Sequence, residues 1–384
     1  MCLLLFVTAY RRDDSHSPPL VRIRNGTLSG IHDSTLKQDL FLGIPYAQPP
    51  VGTNRFRQSM PYNEAWVGIR EAVEQTYACP SYPTPDSIKL TQRHPINIEA
   101  PGQSEDCLTL SIGRPSNAKN LPVAVWFHGG AFQWGTGASN GINLRRFLNA
   151  SVLASKPLII VTVSYRLNYF GFLAGKDLYE EGNTNLGLHD QRRALHWIQE
   201  NIAAFGGDPR KVTIFGQSAY GLCKLRCANC RGAKSVAAQM FAFNGRDDHL
   251  FRGAILESGA PATGIYWPAM SDYSQAHYEL IVSRAGCSTA EDKLACLRSL
   301  EFTTLYDAME PTDDFTLPFF LPSIDGDFIA ESPSQQLMKG NYVKVPMIQG
   351  QNDDEGAMFT ARANSNSDEE TRQWFLGMPL QEAS

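Results

Sequence analysis

KVTIFGQSA, from Lys211 to Ala219, is the stretch on which the fold turns. Lys211 to Phe215 is a short run rich in β-branched and apolar residues, bounded by glycine. Such runs suit strands buried on both faces. The run passes directly into Gly216-Gln217-Ser218-Ala219. A serine on a sharp strand-to-helix turn holds its hydroxyl above the edge of a sheet, and small neighbours are needed because that turn is strained and tightly packed. The match is weak by itself, and its position at a strand end gives it weight.

Working outward, the same pattern recurs. Val123 to Phe127 is an apolar run that ends at His128-Gly129-Gly130; Leu158 to Val163, Ala254 to Leu256 and Val345 to Ile348 are three more. Between the second and third runs in chain order, Leu195, Ile198, Ile202 and Phe205 are spaced by three, four and three, one face of a helix. Gly206-Gly207-Asp208-Pro209 is the punctuation expected at its end. Strand, helix, strand in this rhythm implies right-handed crossovers and an α/β fold with a mainly parallel sheet. Functional groups in such sheets sit just past the carboxyl ends of the strands.

His128-Gly129-Gly130-Ala131-Phe132 lies at one such end. An ester hydrolase must stabilise a tetrahedral oxyanion, and backbone N–H groups on a glycine-rich loop approach it with no side chain in the way. A simple glycine turn is the plainer alternative. Cys79 and Cys107 flank one loop and Cys287 and Cys296 another; local disulfides and buried thiols both fit those spacings.

The ordered set of short motifs resembles the type-B carboxylesterase and lipase family, which includes the cholinesterases, within the α/β-hydrolase superfamily. The motifs are Phe41-Leu42-Gly43-Ile44-Pro45-Tyr46-Ala47, Glu105-Asp106-Cys107-Leu108, the His-Gly-Gly run and Asn185-Leu186-Gly187-Leu188-His189-Asp190-Gln191. Phe205 to Pro209, Phe215 to Ala219, Glu257-Ser258-Gly259 and Asp354-Glu355-Gly356 complete the series over about Val21 to Phe359. The resemblance implies a central, mostly parallel sheet with helices on both faces. It implies Ser218 as nucleophile, with Ala219, Gly130 and Ala131 giving oxyanion N–H groups and Gly129 shaping their loop. Glu355 is the implied acid that orients a histidine; on its own it would read as a solvated loop carboxylate. The resemblance pairs Cys79 with Cys107 and Cys287 with Cys296. It implies a small-molecule or lipid ester as substrate and no cofactor. Gln217 stands where many relatives carry Glu.

Two departures qualify this expectation. The order in this fold is Ser, then Asp or Glu, then His, and no histidine follows Glu355 before Ser384. The C-terminal part that carries the family's base is thus expected to be missing. The serine turn is also interrupted: deleting Tyr220 to Arg231 would restore Gly-Gln-Ser-Ala-Gly-Ala-Lys-Ser-Val. Translated intron or a gene-model error is the expected origin, and sequencing the spliced transcript decides it. Cys223, Cys227 and Cys230 lack a fourth zinc ligand and a second knuckle, so no metal is expected. A serine ester hydrolase is the leading reading; a non-catalytic cholinesterase-like binding protein and an inactive esterase fragment are the rivals.

The remaining composition bounds the rest. A net charge of −5 with unclustered basic residues gives no nucleic-acid footprint. No apolar run is long enough to span a bilayer. Met1 to Tyr10 is apolar from Leu3 to Val7 and lacks a basic start, so residues 1–17 read as a damaged leader or a mis-called start, and 18–384 as one domain. The sequons Asn25-Gly26-Thr27 and Asn149-Ala150-Ser151 fit an exported glycoprotein. Phe132, Trp134 and Tyr220 are candidates for lining a pocket, against a plain core role. Oligomeric state and acyl preference leave no mark.

Overall fold

The computed structural model describes residues 17–81, 102–137, 143–217, 232–260, 266–308, 310 and 320–353. Its strands are β1 (Leu20–Ile23), β2 (Gly26–Ser29), β3 (Ile31–Asp33), β4 (Gln38–Pro45), β5 (Ile69–Glu71), β6 (Thr109–Pro115), β7 (Leu121–Phe127), β8 (Ile159–Val163), β9 (Gly207–Gln217), β10 (Gly253–Glu257) and β11 (Met347–Gly350). A small sheet takes the order β1-β2-β5, and the main sheet the order β11-β10-β9-β7-β8-β6-β4-β3. From β11 to β8 every pairing is parallel. From β8 to β3 every pairing is antiparallel.

All five apolar runs of the sequence are strands of the parallel half. Their ends differ in two places. The third run extends back through Gly207, so the second of the two glycines expected to end the helix begins β9. The fifth is displaced toward Gly350. The helix runs over Leu186–Asn201 and closes with a 3-10 turn at Ile202–Phe205, and Gly206 supplies the left-handed residue at φ 85°. A side chain there would stand 2.2 Å from the Ala118 carbonyl oxygen, so only glycine fits.

Alternating strand residues feed two cores, because successive side chains leave opposite faces of a sheet. Val125, Phe127, Val161 and Ile214 pack with Leu195 and Ile198 of that helix and with Val236 and Met240 of the Gly232–Gly245 helix. Trp126, Ile160 and Phe215 pack with Leu148 of the Leu144–Leu153 helix on the other face. Helices therefore cover both faces, and the strands can be apolar without alternation. This is an α/β-hydrolase fold.

Cys79–Cys107 and Cys287–Cys296 are both disulfides, closing loops of 28 and 9 residues. Next to the first, buried Arg55 grips Glu105 through Nε and Nη2 at 2.6 and 2.7 Å. The same guanidinium donates to the carbonyls of Leu297 and Leu300, 2.9 and 2.8 Å away, beside the second disulfide. Among the described residues no helix is long and apolar enough to cross a membrane.

Candidate active site

The carboxyl ends of the parallel strands meet in one row. Phe127, last in β7, is the register partner of Gly216 in β9. Gln217 partners Glu257, and Glu257 partners Gly350. The loops after β7, β9, β10 and β11 thus leave the sheet at one level. Gly129, Gly130 and Ala131 follow β7 directly. Ser218 is the residue after β9, and Glu355 follows β11 by five positions. Ser218, Ala219, Glu355 and the Tyr220–Arg231 segment lie outside the described residues, as do Cys223, Cys227 and Cys230. The helix after that segment begins at Gly232.

The glycine loop is a built structure and not a plain turn. The Gly130 carbonyl accepts from the amides of Gln133 and Trp134 at 2.9 and 3.0 Å. Gly130 holds φ 111°, and a Cβ on it would fall 1.8 Å from the Trp134 carbonyl oxygen. Ala131 and Phe132 follow at φ 62° and 59°, a conformation that costs non-glycine residues about 1 kcal/mol or more each. Among the described residues neither the Gly129 nor the Gly130 amide is hydrogen-bonded. Those donors therefore remain available to an acceptor arriving at the strand ends.

Groups after β8, with Gln133 and His128 of the loop itself, pin this loop. Buried Tyr165 donates its hydroxyl to the His128 carbonyl at 2.6 Å, and the two rings stack at 4.3 Å. The Asn168 amide donates to the Phe132 carbonyl at 2.5 Å. Buried Gln133 donates to the carbonyls of Ala131 and Phe320 at 3.2 and 2.7 Å. His128 Nδ1 donates to the Gly129 carbonyl at 2.8 Å. Burial pushes its pKa down to about 4, so the imidazole is neutral and serves the loop as a brace. Tyr165, Asn168 and Gln133 escaped sequence reasoning; the one signal for the first two is that Ser164 to Asn168 also follows a strand end, and Gln133 lies just past the glycine run.

The other motifs prove to hold the frame. Asp190 clamps Arg166 through two oxygens at 2.7 Å each, both residues buried. Gln191 accepts from Gln239 and donates to Ser235 on the Gly232–Gly245 helix. Asn185 donates to Ser323 and Asp325. Phe132 is fully buried against Phe172 at 4.6 Å, which makes it core and not a pocket wall. Behind it, Phe172, Trp267, Tyr273, His277 and Phe320 line a cavity of about 20 Å³. That volume suits about one water molecule.

The model of the carboxylesterase family matches residues 17–376. The chain belongs to that family. It is similar to Lipase 4 of Diutina rugosa, with 38% identity over 93% of this chain and 66% of that protein. Secreted lipase 1 of Botryotinia fuckeliana is 36% identical, over 90% of this chain and 61% of its own. Among solved structures, EstA of Aspergillus niger superposes with a TM-score of 0.73 at 29% identity, covering 94% of this chain and 64% of that one. This family member thus spans about two thirds of the length of the relatives it matches.

Proposed function

We propose that this chain is the nucleophile-bearing part of an exported serine carboxylic-ester hydrolase. The observation that carries the reading is the partnership of Phe127 with Gly216 in adjacent parallel strands. It brings the exits toward the glycine loop and toward Ser218 side by side. In this reading Ser218 Oγ attacks the ester carbonyl carbon, and the carbonyl oxygen becomes an oxyanion held by the amides of Gly130, Ala131 and Ala219. The C–O bond to the alcohol breaks, the alcohol leaves with the proton taken from Ser218, and water then releases the acid from the acyl-enzyme. Glu355 orients the histidine base that carries those protons, and chain beyond Ser384 in the full-length protein supplies that histidine. Without a base, only the oxyanion donors and binding contribute, several orders of magnitude below full rate. Tyr220–Arg231 is foreign to the working enzyme. A small-molecule or lipid ester is the substrate. The two disulfides and the secreted relative support export.

The test compares the chain as given with a version lacking Tyr220–Arg231 and carrying a restored C-terminus, using p-nitrophenyl acyl esters and a fluorophosphonate. The repaired form should hydrolyse the esters and label, and Ser218→Ala should abolish both. A folded repaired form without activity defeats the hydrolase reading and leaves the cholinesterase-like binding role; labelling that survives Ser218→Ala assigns the nucleophile elsewhere.

A further inference from the structure

The Leu144–Leu153 helix carries the second sequon, Asn149-Ala150-Ser151, in its second half. Leu148 packs into the core beneath the helix, and Ser151 is buried beside it. Asn149 lies toward the outward side and is half-buried. Among the described residues its side-chain amide has no hydrogen-bond partner, and neither of its polar atoms is enclosed. The amide nitrogen therefore reaches the surface with both protons uncommitted.

Val152 and Leu153 follow Asn149 at i+3 and i+4, so the three share one stretch of helical surface. They are 45% and 76% exposed. Single apolar side chains at a surface need no explanation, but an adjacent pair beside a modifiable amide forms a small apolar shelf. The helix stops just past that shelf, where Ser155 turns the chain at φ 56°.

The first sequon is built differently. Asn25 is 8% exposed, and its amide nitrogen donates to the carbonyls of Tyr62 and Glu64 at 2.9 and 3.0 Å. A sugar on that nitrogen would remove one donor and stand where a carbonyl stands. An acceptor left unsatisfied there costs about 1–3 kcal/mol. Folded molecules therefore keep Asn25 bare.

We propose that Asn149 is the N-glycosylation site of this protein and that its first sugar lies across Val152 and Leu153. The inference rests on the export proposed above. The donor is a lipid pyrophosphate-linked oligosaccharide. A bond forms between Asn149 Nδ2 and the sugar C1, the C1–O bond to pyrophosphate breaks, and one amide proton leaves with the lipid pyrophosphate. A pyranose carries C–H groups on one face, which suits an aliphatic pair, and its hydroxyls stay in water. The Ser151 hydroxyl donates to the Leu148 carbonyl at 2.7 Å and is buried, so the sequon is closed to an enzyme once the helix has formed. Transfer therefore precedes folding and takes place on the emerging chain.

The full chain made behind a borrowed secretion leader in a eukaryotic host tests this. Peptide N-glycosidase converts a glycosylated asparagine to aspartate, which peptide mass spectrometry reads at each sequon in total protein, folded or not. Conversion at Asn149 is expected. Ser151→Ala should abolish it, and Ser151→Thr should keep it. In the soluble folded fraction Asn25 should be recovered as asparagine. A leader-cleaved chain without conversion at Asn149 overturns the proposal, as does conversion that survives Ser151→Ala. Sugar on Asn25 in folded protein overturns the choice between the sequons. The chain with its own N-terminus separates the two readings: sugar that appears only behind the borrowed leader sustains Asn149 as the site and defeats export.

Discussion

At the scale of single residues, the glycine loop shows why particular atoms cannot change. Gly130 combines a positive φ with a neighbour that leaves no room for a methyl group. Gly130→Ala must therefore move either the Trp134 carbonyl or its own amide. In a repaired, active form the substitution should lower kcat about 100-fold or more with little change in KM, since an oxyanion donor acts in the transition state. Unaltered kcat in a folded variant would remove Gly130 from the site. Asn25 makes a contrasting point. Its side-chain amide donates to the carbonyls of Tyr62 and Glu64 at 2.9 and 3.0 Å, so the first sequon is committed to folding contacts. The glycine loop around Gly130 and Ala131 was legible as a motif. The brace formed by Tyr165, Asn168 and Gln133 was not, because a hydroxyl or amide that bonds a distant carbonyl leaves no periodic trace.

At the scale of elements, the parallel strands β7 to β10 could be read because burial on both faces gives continuous apolar runs, which stand out against polar loops, whereas β11 at the sheet edge is exposed along its length and was legible only from its apolar residues. Strands β1 to β6 escaped notice. Several are short, and β5 is exposed throughout, so their pattern resembles ordinary loop sequence. The Leu144–Leu153 helix was likewise missed: its apolar stripe is narrow, and its N-terminal signal is one residue, Asn143, which accepts from the Arg146 amide at 3.0 Å. The disulfides belong to this scale as staples of irregular segments. By loop entropy the Cys79–Cys107 bridge contributes about 3.5 kcal/mol and Cys287–Cys296 about 2.5 kcal/mol. The double replacement Cys79→Ser with Cys107→Ser should lower the unfolding free energy by about that larger amount in chemical denaturation. A loss no greater than that of the Cys287/Cys296 pair would mean that loop closure is not the main contribution.

At the scale of the whole molecule, buried neutral imidazole couples the loop to global stability. The His128 pKa is about 4 in the folded state against an ordinary 6.5. The unfolded chain therefore binds a proton that the folded chain refuses between those values, and stability rises with pH across that window. Below pH 6.5 the penalty grows, and going from pH 7 to pH 5 should cost about 2 kcal/mol from this group alone. Denaturation of wild type and His128→Gln at both pH values isolates it. A folded variant with the wild-type pH slope would show that His128 does not carry the effect. Arg55 works at the same scale, tying the neighbourhoods of both disulfides to one guanidinium.

The register row Phe127–Gly216 and Gln217–Glu257–Gly350 has a temporal consequence. Strands that align their ends in space are separated by long spans of chain, and such non-local pairings form slowly. During synthesis the row stays open until Gly350 has emerged, so an unfinished polypeptide holds the glycine loop without its facing neighbours. Any reactivity at that edge is a late acquisition, and its appearance times the last step of assembly.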